Sequence, residues 1–158
     1  MQKLIVVAGV LLLIASSGFA QTGAKIINPC ALLTKAEVQQ VLGKEVSDPK
    51  PDPKNGAGPS CMFTVGGYGQ LSLMARPARA DEIPDMMVSE FKKHGVKAEE
   101  VKGVGDRAIL TLPGYGMVQL SFFKGPTIVI LTMMVPGVTE EKAKPLAQKL
   151  AEKALSRL

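Results

Sequence analysis

The chain has no tryptophan, one histidine, two tyrosines and two cysteines among 158 residues, and aromatic side chains make up 4% of it. Each scarcity removes a class of function. A Ser-His-Asp or Cys-His site would need His94 as its base. That residue falls at the expected C-terminal end of a helix, where an imidazolium suits the dipole, and it is read as a helix-end residue. A zinc centre needs about four His, Cys or carboxylate ligands, and both cysteines are expected to be oxidised. There is no Cys-x-x-Cys, so a redox role is not indicated. Lysine and arginine alternate with acids, without the dense basic stripe and stacking rings of a nucleic-acid binder, so nucleic acid is not expected as a partner. Gly103-Val104-Gly105 lacks the third glycine and the ribose-binding acid of a dinucleotide fingerprint and reads as a tight turn. Neighbouring carboxylates, Glu99-Glu100 and Glu140-Glu141, read as solvated. No catalytic, cofactor-binding or metal-binding residue is assigned.

What is present begins with an address. Residues 4–15 are an apolar run behind Lys3 and ahead of Gly18-Phe19-Ala20. This is the layout of a secretory signal peptide, residues 1–20, cut between Ala20 and Gln21. Twelve apolar residues are too few to span a bilayer. The processed chain of about 138 residues is the size of one domain, residues 21–158. Removing Lys3 lowers the formal net charge from +5 to +4, a generic basic surface. The expected location is periplasmic or secreted, with no membrane span after cleavage, and the protein is read as a monomer. In an oxidising compartment Cys30 and Cys61 read as one disulfide. Closing a loop of about 32 residues, it is worth about 3.7 kcal/mol on the chain-entropy scale.

Thr34-Lys35-Ala36-Glu37 is a capping box, Val38, Val41 and Leu42 form a stripe, and Gly43 is a natural stop, which predicts a helix over residues 34–42. Residues 47–60 are rich in proline and glycine and read as a mobile loop. Strands are expected at 61–65, 70–74, 96–101, 107–112, 117–124 and 127–135, the last apolar on both faces like a central strand. Asp81 is expected to cap a helix whose apolar stripe is Ile83, Met86, Met87, Phe91 and His94. A last helix starts at Thr139, with a kink or restart at Pro145 and a stripe of Leu146, Leu150, Ala154 and Leu158. Lying at the surface of a membrane is the alternative for this helix, disfavoured by its narrow, alanine-rich apolar face. Methionine-rich exported proteins can hold Cu(I) through thioethers. Here Met133 and Met134 point to opposite faces of a strand, and Met86 and Met87 complete a helix stripe, so the methionines read as core filler. Tyr68 and Tyr115 both lie on Gly-Tyr-Gly turns between strands. They are the candidate recognition surface, unless each ring folds back over its own hairpin.

Asn28-Pro29-Cys30-Ala31-Leu32-Leu33-Thr34-Lys35-Ala36-Glu37-Val38, then Leu42-Gly43, Cys61-Met62-Phe63 and Val104-Gly105-Asp106-Arg107-Ala108, resemble an exported family of unknown function typified by actinobacterial envelope lipoproteins. The layout is also similar to the extracellular sensor domain of a mycobacterial receptor kinase. The resemblance implies a twisted antiparallel sheet flanked by helices, PsbP-like, and a disulfide between Cys30 and Cys61. No cysteine directly follows Ala20, so lipid tethering does not carry over, and the family brings no catalytic residues. The expected fold is α+β, with a mostly antiparallel sheet of five or six strands. The expected function is a non-catalytic envelope module that binds a partner protein or small ligand. A hydrolase with a non-standard active site and a soft-metal (copper) carrier are the alternatives.

Overall fold

The structure, a computed structural model, describes residues 27–52 and 58–158. The expected signal peptide and its cleavage site lie outside the described residues, as does part of the proline-rich segment. A short 3-10 turn, Pro29–Ala31, leads into α1 (Lys35–Leu42). The capping box forms: Thr34 Oγ1 accepts the Glu37 amide at 3.3 Å, and Glu37 accepts the Thr34 amide at 2.9 Å. Gly43, at φ 62°, ends the helix.

Seven strands follow, one more than the upper expectation. They are β1 (Lys50–Asp52), β2 (Ser60–Val65), β3 (Gly69–Pro77), β4 (Lys97–Val101), β5 (Arg107–Gly114), β6 (Met117–Lys124) and β7 (Thr127–Met134). The extra one is β1, inside the segment read as a loop. It pairs with β2, placing Pro51 opposite Cys61. Proline lacks the amide that an interior strand must donate, so it is tolerated at a sheet edge. The sheet is antiparallel throughout, in the order β1-β2-β3-β7-β6-β5-β4. The strand expected to be central, β7, is the middle one.

The two faces of β7 serve two cores. Val129, Leu131 and Met133 join Leu71, Leu73, Leu120 and Phe122 in the larger one. It is covered by α1 and by α3 (Glu140–Leu155), whose Ala147, Leu150, Ala151 and Ala154 are fully buried. Each leucine so buried contributes roughly 1.5–3 kcal/mol relative to exposure. Ile128 instead joins Ile109 and Phe123 in a smaller cluster under Met87 and Val88 of α2 (Pro84–Lys93).

Three local expectations are corrected. Asp81 does not cap α2. Ile83 occupies that position without a side-chain bond, and Pro84, with its preset φ, starts the helix. Ile83 and Met86 are exposed, and the half-buried face is Pro84, Met87, Val88 and Phe91. The helix does not restart at Pro145: α3 runs across it. Its side chain faces outward, so water can satisfy the carbonyl that loses its partner.

The disulfide between Cys30 and Cys61 is formed and joins the entry of α1 to β2. At the opposite end of the chain, Arg157 donates to the Leu32 carbonyl at 2.9 Å and to Glu37 at 2.8 Å. The two termini of the described fold are thereby tied together. The Arg157 hydrogen bond is the main cause that lowers the Glu37 carboxyl to about 2, with the Thr34 bonds adding to it and partial burial opposing. None of the described helices is long and apolar enough to cross a membrane.

Candidate functional site

Strand order alone brings the two tyrosines together. The β2–β3 hairpin closes at Val65↔Gly69, and the β5–β6 hairpin at Gly114↔Met117. The last residue of β7, Met134, is the register partner of both Gln70 and Met117. Both Gly-Tyr-Gly turns therefore sit at the same end of the sheet, on either side of the chain leaving β7.

Between them lies a groove of about 430 Å³, lined by Tyr68, Tyr115, Met134, Pro136 and Val138 among others. Tyr68 is 77% exposed and Tyr115 is 100% exposed, so neither ring folds back over its hairpin. Tyr115 is also the only described residue other than glycine at positive φ, 54°. A side chain in that region costs roughly 1–2 kcal/mol, and a glycine there would remove the strain. Such residues cluster at functional sites. Next to the groove, Gly69 makes a close approach: a Cβ there would lie 2.8 Å from Pro136 Cδ and 2.7 Å from the Val65 oxygen. Only a residue without a side chain lets Pro136 lie against the Tyr68 turn. Among the described residues no Lys, Arg, His, Asp or Glu lines this groove, which offers π-faces, phenol hydroxyls and backbone groups to an uncharged ligand surface.

A larger groove, about 610 Å³, runs between α1 and α3. Its rim is Lys149, Glu152 and Lys153, long side chains of mixed charge, with Gln40 and Ser156. It presents no fixed recognition group.

The other residues weighed from sequence fall elsewhere. His94 is exposed and makes a 3.1 Å contact with Glu90 on its own helix. Glu99 and Glu100 point to opposite faces of β4 and do not form a carboxylate pair. Glu99 is ion-paired to Lys144, and Glu100 to Arg107, which also holds Asp85 at 2.6 Å. The Arg107 bonds hold both the Asp85 and the Glu100 carboxyls below their usual range. Among the described residues no group of three or more His, Cys, Asp or Glu side chains could hold a metal ion.

The methionines meet expectation only in part: Met133 is in the core and Met87 packs against the smaller cluster, but Met86 and Met134 are exposed. Of those described, only Met133 is buried; Met62, Met86 and Met134 are exposed and Met74, Met87 and Met117 half-buried. The register places Met62, Met74, Met117 and Met134 on one sheet face, the half that α2 leaves open. They are not core filler. Met134, Pro136 and Val138 were missed as groove residues; the Pro136-Gly137 turn directly after the central strand was the available signal.

No family model and no curated protein matches the chain. Among solved structures, the crystal structure of a GTP binding regulator from Thermotoga maritima is similar at 15% identity, over 79% of this chain and 91% of that one, with a TM-score of 0.39. A likeness at that level carries no argument about ligand or activity.

Proposed function

We propose that this chain is a non-catalytic exported module of the cell envelope that recognises a partner protein or small ligand through the Tyr68–Tyr115 end of its sheet. One observation carries the reading. The chain's two tyrosines, far apart in sequence, meet on one uncharged groove with both rings in solvent, one on a strained backbone. Exposed aromatic rings on rigid turns are good binding anchors, because they bury much area for two rotors. The disulfide suits the oxidising compartment implied by the signal-like first residues. The resemblance to an exported envelope family points the same way.

The test is a comparison of retained material. Immobilised protein and its Tyr68→Ala/Tyr115→Ala variant are exposed to envelope extract, and bound components are quantified by mass spectrometry. The reading expects a component kept by the parent and lost by the variant, with the two proteins equally folded by circular dichroism. Identical retention profiles would count against it.

A further inference from the structure

We propose that Met117 and Met134 form a site for one soft monovalent cation of the Cu(I) or Ag(I) class. The two residues are direct register partners across the β6–β7 antiparallel ladder, so their side chains leave the same face side by side. Such pairs have Cβ atoms about 4.5–5.5 Å apart, and each methionine has three rotatable bonds beyond, so both sulfurs can reach a single ion. Met134 is 38% exposed and Met117 is half-buried, which leaves a path from solvent.

The surroundings select the ion. Gln70 is the partner of Met134 on its other side, and Thr132 and Gln119 form the next row. None is a carboxylate, imidazole or thiolate, so hard cations and zinc have no anionic donor to favour them. Thioethers select Cu(I) among the biological metals. Among the described residues, the helix on this face, α2, packs over the end holding Ile109, Phe123 and Ile128, away from the Met117–Met134 row. Two neutral ligands near solvent hold an ion exchangeably, which suits transfer rather than storage. Met62 and Met74 share that face, but they are diagonal, with Met62 opposite Ser72, and their sulfurs converge less well.

Met134 also lines the tyrosine groove but Met117 does not, so Met117→Leu is the variant that separates the two sites. The test uses the full chain labelled with ¹³C at the methionine methyls and titrated with Ag(I), which is not reduced or oxidised under these conditions. The Met117 and Met134 methyl signals are expected to move together and to saturate at one ion per chain, while Met133 and Met86 stay still. Met117→Leu and Met134→Leu, near-isosteric changes, are each expected to weaken binding at least about tenfold, and Met86→Leu to leave it unchanged. An unmoved Met133 signal in each variant certifies the fold. No shift, shifts ordered by exposure with Met86 moving first, or either variant binding as the parent does, would overturn the proposal.

Discussion

Replacing Glu37 by glutamine tests how the two ends of the fold are held. The substitution keeps the shape and an acceptor oxygen but removes the charge facing Arg157 at 2.8 Å. The Glu37 carboxyl is lowered from 4.5 to about 2 in the folded chain. Each tenfold change in proton affinity is worth about 1.36 kcal/mol, so the upper bound on its contribution is about 3.4 kcal/mol. The Arg157 side chain is 34% exposed and the Glu37 side chain 21% exposed, so solvent screening reduces this to roughly 1–2 kcal/mol. A carboxylate whose folded value is depressed stabilises fully above its unfolded value and loses that contribution as pH falls through the folded one. Urea unfolding of Glu37→Gln at pH 7 is therefore expected to show a loss of roughly 1–2 kcal/mol at an unchanged m-value. The gap between parent and variant should narrow from about pH 5 downward and nearly close near pH 2. No gap at neutral pH, or a gap that persists undiminished to pH 2, would refute the clamp.

Other outcomes follow from the same structure. Reducing Cys30–Cys61, or replacing both cysteines by alanine, is expected to cost about 2–4 kcal/mol in chemical denaturation. Gly105→Ala is expected to lose roughly 3 kcal/mol or more, since its Cβ would collide with the Phe123 carbonyl oxygen and the residue would also have to hold φ 62°. Gly43→Ala, at the same φ but in open space, should lose only about 1 kcal/mol, and equal losses at the two sites would contradict the contact argument. Tyr115→Gly is expected to be at least as stable as the parent by thermal denaturation despite losing a whole side chain. Relief of about 1 kcal/mol of left-handed strain offsets the greater freedom of its unfolded chain.

Features written in adjacent residues were legible from the sequence. Thr34 and Glu37 satisfy each other's amides within one turn, and Gly43 ends the helix, so α1 needs no tertiary context. The apolar run of β7 announced its central place because both of its faces meet side chains. The start of α2 was displaced because Pro84, whose preset φ suits the first helical position, opens the helix and leaves Asp81 two residues before the cap position at Ile83. Strand β1 was hidden by its proline, whose acceptability depends on being at an edge, a property of the assembled sheet. Burial of the methionines could not be read either. Their apolar character fits a core, but α2 has ten residues, about 15 Å, and stops short of half the face. The meeting of Tyr68 with Tyr115 depends on β7 lying between the two hairpins, and no spacing along the chain encodes that order.

The proposed recognition end of the sheet can be probed for contact directly. A photoreactive phenylalanine analogue placed in turn at positions 68, 115 and 86, and irradiated in living cells, compares the tyrosine groove with Met86, an exposed apolar residue on α2. Covalent adducts at positions 68 and 115, with none at 86, are the predicted result. Adducts at 86 with none at either tyrosine would contradict it.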